Sequence, residues 1–459
     1  MQYLVYIFPL LFIVSFAISL YKLLQGDPNG LFVFLIGGLP FYAISLSTFY
    51  VLGGKNIIPF IQSTKELIII ISLVTLILQN NTRFKWTLLD KLVILFFVFS
   101  CIYVFIPLGP NGFLQRVLAF KGLSFFPLVY FCGRLFPLQK TYIEKYFSFI
   151  LILTIGAALL SFGEYLIQTH LQVYTGYSDL NYNVYKQAPS GNYGLSWTFE
   201  IENGAKRFAS FFSTPLEHAA ATLVALAIIG GLYTHKNNQV FLSKLGWFAF
   251  FATIASILFS LSRAAIFSYF LIILMYSFVT KRKEILSIFY ASIVLFVIYL
   301  FSFSSKEIQD FVMSTITFDN QSSVGHLVEW LTGIESMIAQ PFGLGLGASG
   351  GITANEGEAV GGENQFIIVG VQIGIAGLLL YAWIHFYTIY LSYKNYKHLI
   401  GKEQKIALMV LLIRFGLILP MFTSNLDTYI YISYLMWMMT GLLSNILSKP
   451  NTQLEHKTI

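Results

Sequence analysis

Residues 92–106 read LVILFFVFSCIYVFI, an unbroken run without a charged side chain. A helix needs about 20 such residues to cross the ~30 Å of hydrocarbon in a bilayer. Lipid offers no hydrogen-bond partner to the backbone, so each run of this kind is predicted to be helical. Working outward from it, the sequence holds thirteen candidate spans: 3–23, 31–52, 57–78, 89–108, 113–135, 146–168, 216–234, 241–261, 263–280, 285–303, 366–392, 405–423 and 428–447.

The composition supports the same conclusion. Of 459 residues, 56% are hydrophobic and 11% charged, and the mean hydropathy is +0.72. Soluble proteins carry about 45–50% apolar and about 25% charged residues, which excludes a water-soluble enzyme. A 17% aromatic content and only two cysteines exclude a disordered chain and a disulfide scaffold. We therefore expect an all-α fold, a polytopic transmembrane helix bundle of about 12–14 spans forming a single integral membrane domain, 1–459.

The basic residues indicate how the chain is oriented. The net charge is +7, and 18 of the 28 Lys and Arg residues lie in one alternating set of loops and the C-terminal tail. Short basic loops are typical of the cytoplasmic side, so the excess charge reflects topology and not nucleic-acid binding. This predicts a cytoplasmic C-terminus and two long extracytoplasmic loops, 170–215 and 304–365. Long connections more often carry function than short ones do.

Two arginines near the first loop are candidates for anion binding. Arg263 follows Ser262 where two spans meet almost without a loop. Its guanidinium fork matches phosphate oxygens, and a helix start adds backbone N–H groups; the alternative is an anchor that snorkels to the interface. Arg207 lies in the last stretch of the first loop, where the alternative is a solvated base. Arg414, midway along a span, predicts a cavity or an ion pair.

The second loop holds candidate bases. Leu327, Leu331, Ile334 and Ile338 recur at helical spacing, which predicts an amphipathic helix on the membrane surface with Trp330 at headgroup level. His326 and Glu329 are neighbours on that helix. Each is a candidate base, and the alternative is a solvated face.

Further along the second loop, glycines and polar residues precede a span. Gly343, Gly345 and Gly347 allow close approach of the backbone to a ligand. The formal G-x-G-x-x-G match at 345–350 lacks a preceding strand, which excludes a dinucleotide site. Glu363 and Asn364 lie directly before the next span, where a plain N-cap is the alternative for Asn364. The seven histidines are scattered, so we expect no metal.

These motifs occur in an order that resembles one family. Ser262-Arg263, Trp330, the segments 340–347 and 363–366, and the stretch 370–378 are similar to the O-antigen polymerase and O-antigen ligase superfamily, over roughly residues 207–380. The resemblance implies a metal-independent membrane glycosyltransferase without a cofactor. Its donor would be a glycan on undecaprenyl diphosphate, at the outer face of the bacterial cytoplasmic membrane. Arg263 corresponds to the arginine taken to bind the diphosphate. Trp330 and the Pro-Phe-Gly-x-Gly-x-Gly stretch correspond to the loop that shapes the site.

Two departures from the ligase pattern favour a polymerase. His326 stands where ligases carry a second arginine, and Glu363-Asn364 stands where they carry His-Asn. We expect a polymerase for O-antigen, exopolysaccharide or capsule, with Glu363, then Glu329 or His326, as the base. Arg263, with Arg207 and Arg414, would meet the diphosphate. The alternatives are an O-antigen ligase, a peptidoglycan-polymerising transferase, and a flippase for the same lipid-linked units. Expected partners are membrane lipid, a chain-length regulator and a flippase.

Overall fold

The structure is a computed structural model that describes residues 3–80, 84–140, 142–201, 204–235, 238–302, 321–350 and 360–449, together with Lys306, Gln309, Met313 and Thr317. Its regular elements are helices. The first half of the chain contains α1 (Ile7–Leu24), α2 (Gly30–Gly37), α3 (Tyr42–Val51), α4 (Ile58–Gln79), α5 (Leu88–Phe105), α6 (Phe113–Ser124), α7 (Phe126–Leu135), α8 (Ile143–Ile167), α9 (Leu171–Tyr174) and α10 (Tyr177–Tyr185). The second half contains α11 (Pro215–Leu232), α12 (Lys244–Ser260), α13 (Arg263–Thr280), α14 (Lys283–Ser302), α15 (Gln321–Ala339), α16 (Gln365–Tyr396), α17 (Gly401–Gly416), α18 (Ile418–Thr423) and α19 (Ile430–Ser448).

The lengths and apolar composition of these helices show a multi-pass membrane protein. Within the described residues, ten helical stretches are long and apolar enough to cross a bilayer, or eleven if the pair α6 and α7, bent by 41°, is one span. All thirteen predicted spans fall on helices. However, α12 is shorter and α14 is not among the ten, so the all-helical bundle is confirmed and the full count stays a prediction.

Contacts between the connections define two ends of the bundle. At the loop end, Arg207 Nε donates to Ser260 O, and Asp427 N donates to Gln365 Oε1. At the opposite end, Lys402 Nζ donates to Leu138 O. This second end, called the basic end, carries Lys85, Lys91, Arg134, Lys145, Lys244, Arg282, Lys394, Lys397, Lys405 and Lys449. The predicted cytoplasmic bases therefore meet at one end, and which side of a membrane that end faces stays a prediction.

The longest helix is not a single straight span. Inside α16, Ile373 and Gly374 leave helical geometry, with φ of +79° and ψ of 176° at Gly374. The Phe366 ring lies 5.9 Å from the Tyr381 ring and 6.0 Å from the His385 ring. In a straight helix Phe366 and Tyr381 would be roughly 22 Å apart, so the chain reverses at Gly374. The predicted span 366–392 is corrected accordingly: residues 365–372 form an arm that folds back on the helix 375–396.

The helix α19, which begins next to the site, packs closely against α7. A Cβ added at Gly133 of α7 would lie 2.1 Å from Met438 O of α19, so only glycine allows these two backbones to meet. Small residues commonly permit such contacts between membrane helices. At the basic end, Arg134 forms a buried ion pair with Asp90 at 3.1 Å. The first contact holds α7 against α19, which starts at the loop end, and the second holds α7 against α5.

Candidate functional site

The end of the first long connection carries Arg207 to the loop end of α12. Its Nε donates to Ser260 O at 3.0 Å, and Phe208 N donates to Phe259 O at 2.9 Å. These bonds continue the chain alongside the last turn of α12. The helix α13 begins at Arg263, three residues after Ser260. The bond between Arg207 and Ser260, which are 53 residues apart in the chain, therefore brings Arg207 close to Arg263.

The buried carboxylate of Glu164 holds both ends of the first long connection. Glu164 of α8 accepts hydrogen bonds from Leu171 N at 2.7 Å and Ser210 N at 2.9 Å, one at each end of the connection. Gln172 Nε2 also donates to Ser210 O and Phe212 O. Glu164 therefore holds the backbone of the connection that carries Arg207.

The two arginines belong to one electrostatic group. Burial lowers the pKa of Arg207 to about 10; nearby Tyr429 and Glu363 act in the opposite direction, and the charge of Arg263 lowers it further. Arg207 therefore remains protonated at neutral pH. Among the described residues Arg207 makes no salt bridge. We call this set, with its neighbours described below, the arginine–carboxylate group: Arg207, Arg263, His326, Glu329, Glu363 and Tyr429.

Glu363 is a carboxylate that interacts electrostatically with Arg207. Its side chain is exposed, yet surrounding protein atoms remove enough water to raise its pKa. The Glu329 charge raises that pKa further, while His326 and Arg207 lower it. An accessible carboxyl with a raised pKa is typical of a group that takes up a proton. The next residue, Asn364, caps the arm of α16 by accepting from Phe366 N at 3.0 Å and Ile367 N at 3.2 Å.

The helix α15 supplies the remaining two polar groups. His326 Nδ1 lies 3.7 Å from Glu329 Oε2. The helix packs on the arm of α16 through Gly333 and Met337, and Trp330 packs at 6.2 Å from Phe422. Leu327, Leu331, Ile334 and Ile338 are exposed on this helix, and its position on a membrane surface stays a prediction.

Sequence reasoning missed Tyr429. This residue precedes α19 and interacts electrostatically with Arg207 and Glu363. Burial raises the pKa of its phenol, as do Glu363 and Glu217, while bonds to the Thr214 and Ser424 side chains lower it. A tyrosine at the start of a span is ordinary at a membrane interface, so the sequence held no signal for it.

The helices around the arginine–carboxylate group point their N-termini toward it. Four begin here, namely α11, α13, α16 and α19. The start of α13 is capped by Ser262 and the start of α11 by Thr214, whose Oγ1 accepts from Glu217 N. Aligned peptide dipoles give each N-terminus a partial positive charge. Two arginines and several helix N-termini together favour an anion in this place.

The glycine-rich segment supports the site from one side without joining the group. Gly343 and Gly345 both have positive φ, and added Cβ atoms would lie 2.6 Å from Gly374 N and 2.3 Å from Leu108 O, respectively. Gly347 N donates to Gln372 Oε1 at 2.9 Å. The glycine-rich segment is therefore closely packed between the kink of α16 and the α5–α6 connection.

Arg414 makes a different set of contacts. It is buried between α16 and α19, where Nη1 lies 2.8 Å from His385 Nδ1 and Nη2 donates to Thr440 Oγ1 at 2.8 Å. Its guanidinium also stacks 4.0 Å from the Trp437 ring. These contacts favour a role in packing, and its predicted contact with a diphosphate stays a prediction.

The chain matches no protein-family model and no curated protein sequence. Over the described residues, no cluster of three His, Cys, Asp or Glu side chains could hold a metal ion.

Proposed function

We propose that the protein is a membrane glycosyltransferase that joins undecaprenyl-diphosphate-linked oligosaccharide repeat units, a surface-polysaccharide polymerase. The observation that carries this proposal is the position of Arg207 and Arg263 in one group with Glu363. A diphosphate needs cations, and an acceptor hydroxyl needs a base, at the place where membrane and water meet.

Each residue then has a role in the reaction. The acceptor oxygen attacks the anomeric carbon of the donor, and the bond from that carbon to the diphosphate oxygen breaks. Glu363 takes the hydroxyl proton, while Arg207 and Arg263 stabilise the negative charge on the departing lipid diphosphate. A single displacement of this kind inverts the anomeric carbon. The helix N-termini around the group stabilise the same charge.

The test is chain elongation by purified protein in vesicles that contain a lipid-linked oligosaccharide. We expect longer lipid-linked glycans, and Arg263→Ala and Arg263→Lys to reduce their formation by about 100-fold or more, since a lost electrostatic contact in the transition state costs that much. Arg116→Lys is the matched control, because Arg116 is at the same end of the bundle and donates to Ile106 O outside the group.

The products separate the alternatives. Glycan delivered only to a different acceptor would indicate a ligase. Movement of the lipid across the bilayer without a new glycosidic bond would indicate a flippase. Normal elongation by Arg263→Ala would contradict the proposed role of the arginines.

A further inference from the structure

Three charged side chains meet inside the spanning region, away from the arginine–carboxylate group. Glu66 Oε1 on α4 lies 3.0 Å from Lys65 Nζ and 2.9 Å from Lys121 Nζ of α6. We call these residues the Lys–Glu–Lys triad. Ionisable residues within spans are costly and often functional, and the proposed reaction uses none of the three.

The triad carries an excess of one positive charge. Both lysines share one carboxylate oxygen, and within the described residues the other oxygen, Glu66 Oε2, is buried with no hydrogen-bond partner. The triad therefore consists of two ammonium groups and one carboxylate, and its second cation is not neutralised within it.

The two lysines have different surroundings. Lys65 is enclosed by protein, since its Nζ also donates to Gln62 O at 2.6 Å and to the Tyr42 hydroxyl at 3.2 Å. The side chain of Lys121 is 47% exposed. An ammonium has three N–H donors, so the excess charge and further donor capacity are on the outer surface of the bundle at Lys121.

That surface is otherwise apolar. Leu114 and Leu118 precede Lys121 on the exposed face of α6, and Leu67 and Ile70 follow Glu66 on the exposed face of α4. Lys121 is the ninth residue of α6 counting from Phe113 at the loop end, which places it roughly 12 Å along the helix. A charge at that depth can draw lipid headgroups toward it by locally thinning the bilayer, so Lys121 can stay paired with Glu66 and still contact a lipid phosphate.

We propose that the surface between α4 and α6 binds the phosphate group of a membrane lipid in the leaflet at the loop end, with Lys121 as the principal contact and Glu66 and Lys65 holding it in place. Acyl chains would cover the exposed leucines, and the phosphate would neutralise the excess charge. A phospholipid and a polyprenyl phosphate offer the same chemistry. This site is independent of the proposed function.

The test measures lipids retained by the intact purified protein, by native mass spectrometry, after titration with phosphatidylglycerol, undecaprenyl phosphate or uncharged diacylglycerol. We expect Lys121→Gln to weaken binding of the phosphate lipids about fivefold, the loss typical of one cation at a membrane surface. Lys121→Arg should retain binding, and diacylglycerol should not distinguish the variants. Lys55→Gln is the control, since Lys55 is an exposed lysine at the same end of α4.

Comparison of the two phosphate lipids identifies which of them occupies the site. Binding of either phosphate lipid supports the site; binding of only one of them assigns its occupant, and where both bind, competition shows which is preferred. Equal retention by wild type and Lys121→Gln would overturn the proposal. If Lys121→Gln lowered only the melting temperature, the triad would be an internal ion pair and the proposal would equally be wrong.

Discussion

The carboxylate of Glu329 rests directly on the backbone of Gly362. A Cβ added at Gly362 would lie 2.1 Å from Glu329 Oε2, and the φ of this glycine is +61°. Gly362 directly precedes Glu363 in the chain. The absence of a side chain at Gly362 therefore lets the Glu329 carboxylate approach the backbone next to Glu363.

We predict that Gly362→Ala will reduce the rate of elongation by roughly tenfold or more. A displacement of about 1 Å at a reacting group can lower the rate by about 100-fold. Elongation is measured on the reconstituted protein. Gly194→Ala is the control: its φ is +65°, and no atom lies within 4 Å of the added Cβ. Equal losses in the two variants would show that backbone strain alone is responsible.

The acid limb of the pH profile should belong to Glu363. Burial raises the pKa of this carboxyl, and only its ionised form accepts a proton. The rate should therefore fall as pH drops through a value above the ordinary glutamate pKa of about 4.3. Glu363→Gln should be slow and lose that limb, and Glu363→Asp should keep it. A limb that persists in Glu363→Gln would point to Glu329 or His326 as the base.

Removal of the Tyr429 hydroxyl should slow turnover more than it weakens substrate binding. The phenol interacts electrostatically with both Arg207 and Glu363, so we expect Tyr429→Phe to disturb how the two charged groups act together. We expect kcat to fall roughly tenfold with KM little changed, as for a contact made in the transition state. Tyr185→Phe, whose hydroxyl accepts from Gln62 Nε2 at 2.9 Å, should behave as wild type. A change in KM alone would contradict this assignment.

Glu164 should matter for stability. Glu164→Ala leaves Leu171 N and Ser210 N without their buried acceptor, at a cost of about 1–3 kcal/mol for each orphaned group. Thermal unfolding of the purified protein should show a lower midpoint. Glu144→Ala is the comparison, because the Glu144 side chain, which pairs with Lys405, is 65% exposed and such a surface pair is worth about 0–1 kcal/mol. An unchanged midpoint in Glu164→Ala would show that the two hydrogen bonds to Glu164 do not contribute to the stability of the protein.

Arg414→Lys distinguishes packing from substrate binding. A lysine cannot reproduce the bonds to His385 and Thr440 together with the stacking on Trp437. We expect a lower melting temperature with KM for the lipid-linked donor within about twofold of wild type. A raised KM in a protein of normal stability would support the diphosphate contact predicted from sequence.

Much of the fold could be predicted from hydropathy. Long apolar runs must be helices in lipid, and every predicted span falls on a helix. Hydropathy does not report chain direction, however, so the reversal at Gly374 was invisible: the arm 365–372 is as apolar as the span that follows it. The run contains three glycines, Gly370, Gly374 and Gly377, and nothing in the sequence singles out Gly374 as the point of reversal.

The site was predictable residue by residue, but its assembly was not. Arg207, Arg263, Glu363, His326 and Glu329 were each suggested by residue type and position. Their meeting depends on long-range bonds such as Phe208 N to Phe259 O, which have no local sequence signal. Tyr429 lacked even a local signal. Arg414 was suggested by its cost in lipid, whereas its contacts lie with His385 and Thr440.

The arm of α16 has a mechanical consequence. Leu344 N donates to Val371 O and Ile375 N donates to Pro341 O, so the glycine-rich segment is bonded to both sides of the reversal. The arm begins at Gln365, two residues after Glu363. Movement of the glycine-rich segment would therefore displace the arm, and with it Glu363, the proposed proton acceptor.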